Sequence, residues 1–553
     1  NTAGVTLSQD LTVNDQLTLE NGALAIGGHQ LTLENALTRV NGSLTGGGTS
    51  ALSITDLGGA ANVSLPAVAS GLQSLTLARD SGATLTGAVT VWNTITLTNG
   101  VLSGAGNLTL AHGCHFIRST GTFYGPGLPT LLGLLDVTFL SGDLTAGLAF
   151  PPAVSNLIRN VTLANTTGTI LLNYDFILQG NLTVKPGARV NDSGHTVTVH
   201  GSMTNSGTYV SSGGRLILAG GTNLHVIAGG GTYDNLELND PLGATLDAPA
   251  TVQTKLTLTA GTLVNSDKLT LGSNADILRA AGALDAAPTF GTTVNVTYFG
   301  TAGVTTGFEL PAADGVLVNL TLNHSAAATV TLDDSRTVYG DLSIGSHSAL
   351  ADNGYLLGVY NDVRNDGTHS GTGEIRLFNP ASQVLYGSGR YGNLVLLKGS
   401  VYLAGDPTID GLLTINLMRD LNPYEFVVGA HTLTLNGPAI AANPTDLVTS
   451  LESSLVFGGS ATNVVLPASV EELNNLTINN TNGVSVSHML RVVGTLTLTD
   501  GVLNTGTNIV HLNNPGNESL VHGNGWINGP LCKLFNVGTG QAFTYWIGDA
   551  TTC

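Results

Sequence analysis

The sequence is short of charge. Charged residues are 10% of its 553, against about 25% in an ordinary soluble domain. Lys and Arg number 18 against 37 Asp and Glu, a net charge of −19. So few scattered cations cannot make a phosphate-binding stripe, which excludes nucleic acid as a partner. Aromatics are only 5%, a poor supply for antiparallel sandwiches, whose cores rest on aromatic anchors. No apolar run approaches 18 residues, so no segment reads as a membrane-spanning helix. Cysteine is reduced to Cys114, Cys532 and Cys553, with no C-x-x-C pair for zinc or redox chemistry. Charged and Pro-rich linkers are also missing. The three or four globular domains that length alone suggests therefore have no boundaries, and one long repetitive body is the better expectation. The 42% of hydrophobic residues is too high for a disordered chain. Glycine follows no every-third-residue rule, which excludes collagen.

What the chain has is glycine (73), threonine (71) and an apolar-Thr-apolar motif. It recurs at Leu17-Thr18-Leu19, Leu31-Thr32-Leu33, Leu75-Thr76-Leu77, Leu108-Thr109-Leu110, Leu256-Thr257-Leu258, Leu320-Thr321-Leu322, Leu433-Thr434-Leu435 and Leu496-Thr497-Leu498. Alternation with period two marks a strand with one buried face, Leu inward and β-branched Thr outward. The segments between are rich in Gly, Asn, Asp and Ser, which tolerate tight turns. Helical periodicity is nearly absent.

A longer period is set by anchors at Leu75, Val161, Leu236, Leu320, Leu394 and Leu476, whose numbers alternate between longer and shorter steps. The blocks share order and spacing more than identity, which is all that a stack of near-equivalent coils requires. The expected fold is therefore all-β: a single elongated parallel β-solenoid, right-handed because parallel crossovers favour that hand. At about 20 residues per coil and ~4.8 Å per coil the rod would be about 120 Å long. A string of sandwiches is the alternative. The expected organisation is N-terminal coils over 1–70, blocks of about 74–86 residues over 71–514, and a C-terminal cap or the start of a further β domain over 515–553. That last stretch holds two of three Trp (Trp526, Trp546) and two of three Cys. Cys532 and Cys553 could close a short disulfide loop if the protein is secreted; unrelated thiols are the equal alternative. The opening Asn1-Thr-Ala-Gly-Val lacks the basic and apolar regions of a signal peptide, so a leader has been removed or the chain is an internal piece.

Units such as Ile95-Thr-Leu-Thr-Asn-Gly-Val-Leu-Ser-Gly, Leu256-Thr-Leu-Thr-Ala-Gly-Thr-Leu-Val-Asn and Leu496-Thr-Leu-Thr-Asp-Gly-Val-Leu-Asn-Thr resemble the β-solenoid regions of very large Bacteroidota-type cell-surface proteins. Gly231-Thr-Tyr-Asp-Asn-Leu-Glu-Leu and Gly389-Arg-Tyr-Gly-Asn-Leu-Val-Leu share the style, as does the closing Gly525-Trp-Ile-Asn-Gly-Pro-Leu-Cys-Lys-Leu-Phe. The resemblance covers nearly the whole chain, through motifs of low information. It implies a secreted, surface-attached adhesin or filament protein, often exported by the type IX route, although the sorting domain of that route is not recognisable. Its implied partners are other copies of itself, neighbouring surface-protein domains, glycans or other cell surfaces.

No residue stands out as catalytic, and no cofactor is expected. A polysaccharide-cleaving or glycan-binding β-helix is the alternative to a structural role, and it would need convergent carboxylates. The candidates are Asp333-Asp334, Glu471-Glu472 and Asp362/Arg364/Asp366; neighbours in a strand point to opposite faces, which weakens the adjacent pairs. His112, Cys114 and His115 form a thin metal-ligand set. Turns such as Asn191-Asp192 and Asp333-Asp334 suit calcium chemically, without the Gly-Gly-x-Gly-x-Asp repeat. Ice binding would need Thr-x-Thr pairs on successive coils. The pairs Thr96/Thr98, Thr257/Thr259 and Thr497/Thr499 lie too far apart in sequence for adjacent coils. Sequons such as Asn107-Leu-Thr and Asn319-Leu-Thr follow from the repeat itself.

Overall fold

The computed structural model describes residues 2–56, 61–125, 127–142, 144–145, 156–415, 424–438, 440–442, 444–538 and 540–549. It is a parallel β-solenoid, 52% strand and 3% helix, with about 25 turns. Every strand pairing among the described residues is parallel, which removes the antiparallel sandwich alternative. The chain divides into two compact units, Asn1–Gly272 with Gly282–Thr289, and Ser273–Ala281 with Phe290–Cys553. The division falls within 71–514.

In the first unit one inward ladder runs through twelve register positions: Leu11, Leu31, Leu52, Leu75, Ile95, Phe116, Val137, Val161, Leu182, Met203, Ile227 and Leu246. All but the terminal Leu11 are at most 7% exposed. Each such side chain contributes roughly 1.5–3 kcal/mol of burial, and it stacks on an apolar neighbour above and below; around Val137, Val161 and Leu182 the stack leaves a small apolar cavity. One residue further on, the outward row reads Thr12, Thr32, Ser53, Thr76, Thr96, Ile117, Thr138, Thr162, Thr183 and Thr204. Outward hydroxyls therefore do align on adjacent coils, which the spacing of Thr-x-Thr pairs concealed. The second unit carries an 11-stranded parallel sheet from Val304–Thr305 to Leu520–His522, and a six-stranded one from Arg336–Val338 to Ala441–Ala442.

The six anchors are all buried. Leu75 and Val161 sit four coils apart on one ladder. Val161 pairs with Leu182, whereas Leu236 pairs with Leu216 and Leu256 on a different ladder. In the second unit, Leu394 and Leu476 belong to the six- and 11-stranded sheets. The step from Leu75 to Val161 is thus four whole coils, while the shorter step from Val161 to Leu236 ends on another face of the coil.

The glycine in the Thr-x-Gly ending of the repeat has a geometric cause. Gly100, Gly261 and Gly501 adopt φ of +76°, +82° and +82°, and a Cβ on any of them would overlap the carbonyl oxygen of Arg79, Asp240 or Asn480 on the coil before. Those carbonyls each accept a turn-closing bond from Gly82, Gly243 or Gly483 at 2.8–2.9 Å, so they cannot withdraw. We expect Gly501→Ala to destabilise by about 2 kcal/mol or more, since the left-handed conformation alone costs about 1–2 kcal/mol. Gly506 (φ +56°), with nothing within 4 Å of its would-be Cβ, is the control. Equal urea midpoints for Gly501→Ala and Gly506→Ala would refute the overlap argument.

Candidate functional site

Several candidates singled out from the sequence are engaged in fastening turns or in bonding one coil to the next. Asp333 and Asp334 both pair with Arg336, at 3.3 and 3.0 Å, and Asp333 also takes the Thr306 hydroxyl at 2.5 Å. Glu472 accepts from Arg491 at 2.8 Å across to the next coil. Asp192 is buried, accepting from the N–H groups of Gly194 and Ser212 and from the Ser211 hydroxyl at 3.2, 2.8 and 2.6 Å. Asn191 accepts from Ser193 N–H at 2.7 Å.

His112, Cys114 and His115 do not converge. Cys114 points into the core, where burial pushes its thiol up to about 11. His115 lies on the outward side and meets the Thr138 hydroxyl at 2.8 Å. His112 Nδ1 accepts from Leu134 N–H at 3.2 Å. Among the described residues no three His, Cys, Asp or Glu side chains are grouped to hold a metal ion. Cys532 is exposed on the strand Leu531–Lys533; Cys553 lies outside the described residues, and so does a disulfide between the two. The row beside the aligned hydroxyls, Gln30, Ala51, Ser74, Thr94, His115, Asp136 and Asn160, is not a second Thr rank. It carries the Arg159–Asp136 pair, with Nε to Oδ1 at 3.0 Å, which holds the Asp136 carboxyl below its ordinary range. On the other side of the hydroxyl row, where Thr98 lies, Thr55 pairs with Ala78 and Ala78 with Asn99, so a paired Thr-x-Thr face for ice is built on neither side.

The third carboxylate group is different. In the second unit the strands Leu342–Ile344, Val363–Asn365 and Ser382–Tyr386 lie side by side, pairing Ser343 with Arg364 and Arg364 with Tyr386 on the outward side. Asp341, Leu342, Ser343, Asp362, Arg364 and Tyr386 line a groove of about 420 Å³. Asp341 Oδ1 accepts from the Asn361 amide at 2.6 Å and from Asp362 N–H at 3.2 Å. Asp362 Oδ1 accepts from Val384 N–H at 2.8 Å. Arg364 Nε donates to Asp366 Oδ2 at 2.8 Å, and its side chain is 60% exposed. Asp341 and Asp362 are thus oriented by the Asn361 amide and by backbone N–H groups, while their second oxygens have no partner among the described residues.

Tyr386 is the aromatic residue of the groove lining, and a separate row of rings stands on the same run of coils. Tyr339 and Tyr360 precede Asp341 and Asp362 by two residues. Their rings lie 6.2 Å apart and near-parallel at 23°, and Phe378 on the following coil meets Tyr360 edge-on at 5.4 Å. Tyr386 and Tyr402, on neighbouring coils, are also exposed. Asp341, Ser343, Tyr386 and the ring row were not singled out from the sequence. The signal was there: Val338-Tyr-Gly-Asp-Leu-Ser and Val359-Tyr-Asn-Asp-Val-Arg repeat one pattern at a separation of one coil.

Compared with protein-family models, curated proteins and solved structures, the chain matches none.

Proposed function

We propose that this chain is a structural and adhesive extracellular protein without catalytic activity, carried on a bacterial cell surface or built into a fibre. The observation supporting this is where the buried ionisable groups go. His225 meets Asp240 at 2.9 Å, His369 meets Asp352 at 3.0 Å, and Arg279 pairs with Glu309, all with side chains at most 9% exposed. Groups that would serve acid–base chemistry in a cleft are here closed into the interior as fastenings. The outward faces are dominated by Thr, Ser and Asn, and a net charge of −19 discourages clumping. Its partners on this reading are copies of itself, neighbouring surface domains and glycans.

Gold-labelled antibody on unpermeabilised cells should decorate the outer surface, and purified protein should leave polysaccharide chain lengths unchanged. Labelling only after permeabilisation would remove the extracellular reading. The second reading, a carbohydrate-active β-helix, is favoured by one observation, the carboxylates Asp341 and Asp362 on adjacent coils of the groove. Shortening of a polysaccharide, abolished by Asp362→Asn, would establish it instead.

A further inference from the structure

We propose that the groove over Ser343, Arg364 and Tyr386 is a glycan-binding site, and that its ligand is an uncharged, hydroxyl-rich sugar chain. The inference rests on the adhesive reading for its purpose and on the groove alone for its chemistry. A pyranose ring presents an apolar C–H face and an edge of hydroxyls, each able to donate and accept. Its complement is an exposed aromatic face beside fixed acceptors and donors. The groove supplies these elements on successive coils. Tyr386, 38% exposed, gives the ring. Asp341 and Asp362 give carboxylate oxygens held in place by Asn361, Asp362 N–H and Val384 N–H through their other oxygen. Arg364 is anchored at Nε by Asp366, leaving its outer N–H groups to donate.

Because the Asn361 amide and the backbone N–H groups fix the carboxylates before any ligand arrives, little ordering remains to be done on binding. The repetition also fits a polymer. Asp341 and Asp362 occupy equivalent positions one coil apart, since the residues after them, Leu342 and Val363, are register partners. Tyr339 and Tyr360 repeat with them. Over these two coils a ligand with equivalent groups along its length meets equivalent carboxylates, and on the third coil, where Val384 takes the place of the Asp, it meets the Tyr386 ring. Charge selects among such polymers. Asp341, Asp362 and Asp366 outnumber the single Arg364, and the chain as a whole is at −19. A polyuronate would be repelled, whereas a neutral polysaccharide bears no such cost.

The test is affinity electrophoresis of the intact chain through gels containing soluble mixed-linkage glucan, xylan, galactomannan or polygalacturonate. At least one neutral polymer should retard the protein, and polygalacturonate should not. Tyr386→Ala should abolish the retardation. Asp362→Asn keeps the oxygen that Val384 needs but removes the charge, and should weaken binding by about tenfold, the scale of one hydrogen bond to a charged group. Both side chains reach solvent, so circular dichroism and melting should be unchanged, and the loss then belongs to binding. Absence of retardation by every neutral polymer, equal retardation of wild type and Tyr386→Ala, or preference for polygalacturonate would each overturn the site. Retardation with loss of polymer length would keep the site and remove the non-catalytic reading. No retardation with surface labelling intact would do the reverse.

Discussion

Replacing Glu309 by Leu should lower the stability of the second unit by about 3–5 kcal/mol, the usual cost of deleting one partner of a buried ion pair. Arg279 ends the strand Ala275–Arg279 at an inward register position, opposite Tyr298 of Val294–Gly300. Glu309, 1% exposed, enters from a connecting segment and takes three donors on Oε1: Arg279 Nη1, the Tyr298 hydroxyl at 2.6 Å and Gly307 N–H at 3.0 Å. Burial, and then the Glu309 charge, push the Tyr298 hydroxyl well above its ordinary value, so it stays a donor. Leucine would leave all three donors facing a methyl group. Glu309→Gln should cost less, because an amide oxygen still accepts from Tyr298 and Gly307. The double replacement Arg279→Leu with Glu309→Leu should recover most of the loss, since an apolar pair needs no compensation. In a stack of coils the unfolding unit is local, so the measurement is urea denaturation together with hydrogen exchange over residues 276–333. A change below about 1 kcal/mol for Glu309→Leu, against the 3–5 expected, would show that water already reaches Arg279.

Arg279 also marks where reading by residue type stops working. The strand Ala275-Asp-Ile-Leu-Arg279 alternates correctly, and strict period two puts Arg279 on the same inward face as Ile277. A charge at that position argues for the outside unless its partner is known, and the partner is 30 residues on, in a segment with no period of its own. The regular part of the fold needed no such partner. Leu-Thr-Leu specifies a strand and its buried face, and the approximate coil length follows from the turn chemistry between strands. Coil-to-coil register was less legible. Inserts lengthen some coils: the register partners Val137 and Val161 are further apart in sequence than Phe116 and Val137, and each insert shifts every later anchor. That drift hid the aligned Thr row and put Val161 and Leu236 on different ladders. The groove was half legible for a related reason. Asp362, Arg364 and Asp366 are neighbours in sequence, whereas Asp341 and Tyr386 join them only once the coil length is known.

Acidification from pH 7.5 to 5 should destabilise the coils around His369, and Asp352→Leu should do so at any pH by about 3 kcal/mol or more, given three buried donors at about 1–3 kcal/mol each. The bonds set the protonation state. Gly392 N–H donates to His369 Nδ1 at 3.2 Å, so the ring proton lies on Nε2, which donates to Asp352 Oδ2 at 3.0 Å. Asp352 Oδ1 accepts from Gly354 and Gly373 N–H at 2.8 and 2.7 Å. Both side chains are fully buried. A second ring proton would sit on Nδ1 and face the Gly392 N–H, donor against donor. Burial lowers the His369 pKa, and the Asp352 charge opposes it more weakly. The unfolded chain takes up its proton near pH 6.5, while the folded chain does so only at lower pH. Between those two points the unfolded state binds more protons, so stability rises with pH there and is lost as pH falls. His324, also lowered by burial, contributes with the same sign; the lowered carboxyls of Asp136, Asp240 and Asp285 act only in the carboxylate range, well below pH 5. Asp352→Asn separates geometry from charge. Its oxygen can serve Gly354 and Gly373, but its amide then points at His369 Nε2–H, and turning the tautomer moves the clash to Gly392. A substantial loss is therefore expected even from this near-isosteric change, read as a lower melting midpoint at pH 7.5. A variant as stable as wild type would mean that the ring and carboxylate are not locked in this order.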